Sequence, residues 1–291
     1  MRVAIFLLET VDPSLGRLDY TSLSEQALME MVIEGITNKM KICGDDDEPK
    51  DIEEWEGVTI EDGKVVNIDW GWRYLGGSLD LEWLPSTVSE FTGDSNQFTG
   101  TFDMASLPTS MKTLSLAYNS FTGSIDLERL PKSMVYLGVS YNNLSGSLKL
   151  EYLPDSLTGF YANTNKFFGS VDLTHLPAAI QSLHLEVNRL SGFVVLTQLP
   201  GRLEDLYLAK NQFNGSLDLT RLPPHMSELN LEHNSFSGTV DLSQLPQGLE
   251  QLYLSDNELL GEIFLSDVLF HAVEVENTKL IKRHMALKRV E

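Results

Sequence analysis

The chain has 291 residues, 42% of them hydrophobic, so it is long enough to bury a substantial core, and its 42 acidic residues against 21 basic ones give a net charge of −21. A surface this negative repels phosphate backbones and anionic lipid, which argues against general nucleic-acid or membrane-surface binding and favours a basic partner. The one cysteine, Cys43, excludes an intrachain disulfide.

Residues 1–64 read as an N-terminal helical and acidic cap. The apolar run VAIFLL is six residues long and is followed by Glu9 and Asp12. It is too short to insert in a membrane and lacks a small-residue cleavage site, so it reads poorly as a signal peptide. With the single cysteine, this points to a soluble, cytoplasmic protein. VDPSLG reads as a turn. Ser22-Leu23-Ser24-Glu25 has the spacing of a capping box and predicts a helix running to about Ile36. Ala27, Leu28, Met31, Val32 and Ile36 would form its apolar face, and its expected work is to shield the open edge of the first repeat. The acids Asp45, Asp46, Asp47 and Glu48, with Asp51, Glu53, Glu54 and Glu56 behind them, lack the spacing of a calcium loop and read as a solvated segment.

From residue 65 the chain repeats itself. Asn96, Asn119, Asn142, Asn165, Asn188, Asn211, Asn234 and Asn257 fall at a fixed step of 23 residues within LxxLxLxxNx(F/L)xG, followed by xxDLxxLP. Such self-similarity is the signature of a solenoid. In one unit, Met111, Leu114, Leu116, Phe121, Ile125, Leu127, Leu130 and Met134 point inward, a face that only stacked neighbours close. The LxL segment alternates with period two and predicts one short strand of a parallel sheet. The asparagines are structural, because a short amide satisfies backbone groups where the chain leaves the strand. Phe98, Phe121, Phe167, Phe213 and Phe236, with Leu144, Leu190 and Leu259, form a core column. Asp80, Asp103, Asp126, Asp172, Asp218 and Asp241 precede Leu-x-x-Leu-Pro, in a column broken by Lys149, Val195 and Phe264. The breaks would spoil a metal ladder, so each Asp reads as the cap of a short turn.

Residues 65–88 are already in register, with Ile68, Trp70, Leu75, Leu79 and Leu81 on core columns and Arg73 in place of the Asn. Gly93 and Ala162 stand where Leu116 stands, which predicts looser packing in those two coils. Val273-Glu274-Val275 is the expected final strand, with Thr278 and Leu280 on the Asn and Phe columns. The solenoid is thus drawn as 65–281, with a basic tail at 282–291. Lys279, Lys282, Arg283, Lys288 and Arg289 would either close the last edge or bind a neighbour.

Trp55-Glu-Gly-Val-Thr, Gly63-Lys-Val-Val-Asn-Ile-Asp and Leu75-Gly-Gly resemble the N-terminal cap of plant-type leucine-rich repeats, with Thr59 and nearby residues where that cap carries a cysteine pair. The L-x-G step is plant-type. L-P-x-x-L with x-D-L, and the acidic stretch before W-E-G-V-T, are similar to leucine-rich repeat proteins of kinetoplastid-type protists. The resemblance implies an α/β repeat solenoid, mostly β: a leucine-rich repeat arc with a concave parallel sheet, short 3₁₀ or irregular convex turns and an N-terminal helical cap. It implies a binding scaffold.

Side chains between the core leucines face the concave side. Trp72, Tyr118, Tyr136, Tyr141, Tyr161, His184, Tyr207, Asn230 and Tyr253 lie there, and the acids Glu186, Asp205, Glu228, Glu232 and Asp256 gather toward the C-terminal half. Tyrosine offers large, stiff contact area with a polar tip. The expected partner-binding set is Trp72, Tyr118, Tyr136, Tyr141, Tyr161, His184, Tyr207, Glu228, Asn230, Glu232 and Tyr253, taking a basic segment of another protein. No phosphate loop, Cys–His pair or zinc spacing is present, and Asp205 with Glu228 sits on an open face without a cleft. The function read from these features is a non-enzymatic protein-interaction scaffold without cofactor or metal. The rival reading is an extracellular adhesion or polysaccharide-recognition module, in which Asn143-Leu-Ser145 or Asn214-Gly-Ser216 would carry glycan.

Overall fold

The computed structural model describes residues 23–285. The readings made on VAIFLL, VDPSLG, Ser22, Lys288 and Arg289 lie outside them. Each repeat is one coil of a solenoid, and its LxL segment is a three-residue strand of a single concave sheet. The strands run from Lys64–Asp69 through Glu90–Thr92, Thr113–Ser115, Tyr136–Gly138, Gly159–Tyr161, Ser182–His184, Asp205–Tyr207, Glu228–Asn230 and Gln251–Tyr253 to Val273–Glu274. All are parallel, and residue pairs such as Ser182↔Asp205 and Asp205↔Glu228 keep the 23-residue step. Leu252↔Val273 shortens it by two residues in the last coil, as the sequence requires. A second, flanking sheet carries the segments after the asparagines, from Ser145–Gly146 to Lys279–His284. Between the sheets the inward columns are buried, and Phe98–Phe121 and Phe213–Phe236 stack at 6.1 and 6.3 Å.

The asparagines fix the spacing of the coils. Asn188 Oδ1 accepts from Phe167 N (3.0 Å) in the coil before, while Nδ2 donates to Ala162 O (3.0 Å) and, in its own coil, to Leu185 O and Glu186 O. The other seven repeat this pattern, from Asn96 on Leu75 N and Trp70 O to Asn257 on Phe236 N and Leu231 O. Where Arg73 breaks the column, the cap supplies the amide: Asn38 Oδ1 accepts from Gly76 N and its Nδ2 donates to Tyr74 O. At the far end Thr278 Oγ1 donates to Val275 O and accepts from Leu280 N.

On the outer side, Asp80, Asp103, Asp126, Asp172, Asp218 and Asp241 each accept from the backbone N–H two residues on, which is the capping role read from the sequence. The first three cap 3₁₀ turns, and Lys149 opens the fourth without a side-chain bond. Three hydrogen bonds, from the Thr174 hydroxyl and amide and from His175, hold the Asp172 carboxyl at about 2.

The cap departs from the sequence reading in four ways. Helix α1 is Glu25–Ile33 and its N-cap is Ser24, whose Oγ accepts from Ala27 N. The helix does not reach Ile36, which instead bridges antiparallel to Gly77, with Gly35 O accepting from Ser78 N. Its buried face is Leu28, Met29, Val32 and Ile33, one position round from the expected one, so Ala27 and Met31 are only half-buried. Finally, the concave sheet's first edge is covered by a strand, Val58–Glu61, in an antiparallel hairpin with Lys64–Asp69. Asp62 and Gly63 turn it at φ of 50° and 73°, a pairing that asks for Asp-Gly. Glu25 ties α1 to this hairpin, accepting from Val65 N and pairing with Lys64.

At the other end, Lys279–His284 forms the last strand of the flanking sheet. Lys282 turns inward, donating to Phe270 O and Val273 O over the Phe270 ring, and Arg283 pairs with Glu262. An inward lysine on an edge strand discourages further pairing.

The expected loose packing at Gly93 is corrected. A Cβ there would meet Phe91 Cε1 at 3.1 Å and Leu116 Cδ2 at 3.2 Å. Phe91 replaces the smaller leucine of the neighbouring column, and its ring fills the room that Gly93 leaves. Phe160 beside Ala162 repeats the large–small pairing, and both are fully buried.

Two substitutions and one surface control test this packing by denaturant unfolding. Asn188→Ala strands buried backbone groups in two coils and should lose about 3 kcal/mol, while Asn143→Ala on the exposed face should change stability by less than about 0.5 kcal/mol. Gly93→Ala should destabilise by about 1–2 kcal/mol, because overfilling a closed core forces neighbours aside.

Candidate partner-binding face

Two aromatic rows stand on the concave sheet. The first runs across the strands: Tyr136, Tyr161, His184 and Tyr207 have successive ring centroids 5.2, 4.7 and 4.3 Å apart. It is continuous because parallel register places Tyr161, His184 and Tyr207 directly side by side. Tyr136 joins diagonally across two glycines. A Cβ on Gly138 would lie 2.9 Å from Tyr136 Oη, and one on Gly159 would lie 2.9 Å from Tyr161 Cε2. These glycines let both rings lie along the sheet.

The second row leaves the strands where the backbone turns through left-handed φ of 59°, 56° and 54° at Trp72, Tyr118 and Tyr141. That conformation is strained for bulky residues and throws the side chains clear of the sheet. Trp72 is 75% exposed, and Tyr118 and Tyr141 stack at 4.2 Å, 10° from parallel. Between the rows lies a shallow groove of about 470 Å³ with a floor of Ser115, Ala117, Gly138 and Ser140, ending at Asn163 and His184. Asp94 is in its wall, accepting from Ser115 Oγ and Ala117 N, while burial pushes its carboxyl above the usual range.

The acids of this face are not equally available. Glu228 accepts from the Tyr207 hydroxyl, and burial together with this bond raises the phenol's pKa. Asp205 accepts from Ser182 Oγ, Glu232 pairs with Lys210 at 3.7 Å, and Asp256 meets His233 at 3.3 Å and Asn277 Nδ2 at 2.8 Å. Glu186 differs. Its Oε2 is buried with no hydrogen-bond donor, and His184 Nδ1 stands 3.9 Å from Oε1. Burial raises the Glu186 carboxyl and lowers the His184 imidazole, so near neutral pH the imidazole does not supply the missing charge.

The structure therefore brings Trp72, Tyr118, Tyr136, Tyr141, Tyr161, His184 and Tyr207 together along one groove and ladder. Asn230 lies beyond Tyr207, its Oδ1 accepting from Glu232 N, and it separates Tyr253 from the ladder. Sequence reading missed Gly138, Gly159 and the floor residues, although their smallness beside tyrosines was the signal. It also grouped Glu186 with acids that are already engaged. Among the described residues no cluster of three or more His, Cys, Asp or Glu is arranged to hold a metal ion, and no helix is long and apolar enough to cross a membrane.

Neither a protein-family model nor a curated protein matches the chain. Solved structures do. A plant ice-binding protein superposes with a TM-score of 0.65 at 19% identity, over 91% of this chain and 98% of the other. The plant peptide hormone receptor RGFR1 in complex with RGF2 gives 0.52 at 22% identity, over 76% and 43%. A TDR receptor gives 0.52 at 21% identity, over 75% and 43%. The fold is that of the leucine-rich repeat proteins. This leucine-rich repeat solenoid spans under half the length of the two receptors it overlays.

A carboxylate with one buried oxygen that no donor reaches, supported only by its own backbone N–H, destabilises the solenoid. Because the folded-state pKa of Glu186 lies above its ordinary 4.5, the destabilisation is present at pH above the folded value and fades as pH falls below 4.5. Glu186→Gln should therefore raise stability by about 1 kcal/mol at pH 7.5, with the gain disappearing near pH 4 in paired thermal melts.

Proposed function

We propose that this protein is a non-enzymatic interaction scaffold whose concave face binds a basic segment of another protein. The observation that carries the reading is the unbroken ring ladder Tyr136–Tyr161–His184–Tyr207 beside an open groove on a strongly acidic molecule. Rigid aromatic side chains dominate the energetics of protein recognition, and the net charge accelerates encounter with a cationic partner. The groove is shallow and open, which suits a chain laid along it better than chemistry that must exclude water. The RGFR1 structure, which shares the fold, contains a bound RGF2. The cytoplasmic setting, in which the buried thiol of Cys43 stays reduced, belongs to the same proposal.

A second reading draws on Asn143 and Asn214, both exposed, Asn214 on the flanking-sheet strand Gln212–Gly215 and Asn143 just before Ser145–Gly146. As glycan carriers they would place the protein outside the cell, as an adhesion or polysaccharide-recognition module. Intact mass of the protein from its native source separates the two: an unmodified chain supports the first reading, and glycan on either asparagine supports the second.

The direct test is selection of random dodecapeptides on the purified protein. The expected winners carry Lys or Arg, and Tyr161→Ala or Tyr207→Ala should weaken them at least about tenfold, the range of a lost anchor. Winners of no particular charge, unaffected by either substitution, would overturn the reading.

A further inference from the structure

We propose that Glu186 is the receptor for a single lysine or arginine side chain of the bound segment, seated at the end of the concave groove beside His184. The proposal deepens the scaffold reading and rests on it. Of the acids on this half of the face, Asp205 is held by Ser182, Glu228 by Tyr207, Glu232 by Lys210 and Asp256 by His233 and Asn277, while Glu274 and Glu276 are exposed to solvent. Glu186 has a buried oxygen with no donor at all.

The neighbours cannot supply one. Ala209, the next residue of its column, has no polar side-chain atom. Asn163, the previous one, has its Oδ1 turned to Ser140 Oγ, and its Nδ2 does not reach Glu186 Oε2. Lys210, one residue past Ala209, is held by Glu232. His184 is kept neutral by burial against the opposing pull of Asp205 and Glu228.

Position matters as much as chemistry. The groove between the aromatic rows ends at Asn163 and His184, and Glu186 is the next residue along the Asn163 column. A segment lying in the groove would therefore bring a side chain over Glu186 as it leaves. Tyr161 and Tyr207 flank His184 at 4.7 and 4.3 Å, so the methylene stem of a long basic side chain has ring surface beside it while its charged end meets the carboxylate. An ammonium or guanidinium meeting the exposed part of the Glu186 side chain supplies the counter-charge that the chain itself does not. Asp and Glu side chains would be repelled, apolar ones would leave it unsatisfied, and neutral donors would supply no counter-charge.

The test uses the tightest dodecapeptide from the selection above, with each Lys in turn replaced by norleucine and each Arg by citrulline. Binding is measured to the wild-type protein, Glu186→Gln and the distant control Glu128→Gln. One basic position should lose about tenfold in Kd on the wild type and nothing further on Glu186→Gln, while Glu128→Gln behaves as wild type. Glu186→Gln should itself bind about tenfold more weakly although it melts no lower, so the loss is not one of folding. The proposal is overturned if Glu186→Gln binds the peptide as the wild type does, or if the two losses simply multiply. A selection that yields no peptide on the concave face overturns the scaffold reading as well, and is recognisable before any Glu186 variant is made.

Discussion

The structure depends on one interaction made eight times: the asparagine amide that joins a coil to the one before it. An Asn side chain is the shortest that offers a donor and an acceptor together, and here each accepts a backbone N–H from the previous coil while donating to a carbonyl there. The bonds leave no freedom in the stacking step. Parallel register, and with it the alignment of side chains on the concave face, follows from that constraint. Hydrophobic columns supply most of the driving force, but they would tolerate sliding that amides do not.

With register fixed, the exposed columns of the sheet are free to vary, and the variation is where the molecule becomes specific. Tyr161, His184 and Tyr207 fall in adjacent strands at one position, so they stack without any further device. Gly138 and Gly159 then let Tyr136 lie down against Tyr161 and open the groove toward Tyr118 and Tyr141. Acids placed on the same face are mostly quenched by neighbours one coil away. The exception, Glu186, sits where a stability-driven sequence would place a neutral residue, and a residue that weakens the fold in this way is the kind retained for binding.

Much of this was legible in the residues themselves. The 23-residue step of Asn96 to Asn257 shows the coil, the inward columns show the core, and Asp172 and its counterparts are visible as caps because Leu-x-x-Leu-Pro follows them. The two-residue deficit at Val273 is visible as well, with Thr278 standing in for Asn. Other features depend on distances between residues far apart in the chain. That Phe91 fills the gap at Gly93, and that Asn38 substitutes for the amide missing at Arg73, are matters of tertiary fit. That Ser24 caps α1 was not legible beforehand, because the neighbouring serines of the sequence offer the same local chemistry. The hairpin at Asp62-Gly63 carried a legible turn signal that the stronger repeat pattern obscured. At the candidate site the aromatic columns were readable, but the difference between Glu186 and Glu228 was not, since it turns on which donors reach each carboxylate.

The central claim is that a basic segment lies along the concave ladder. Hydrogen exchange of the protein with and without a saturating selected dodecapeptide tests it most directly. The account predicts slowed exchange confined to the concave strands from Thr113–Ser115 to Asp205–Tyr207 and the turns after them, with the flanking sheet unchanged. Protection on the flanking sheet or the N-terminal cap, with the concave strands unaffected, would contradict it.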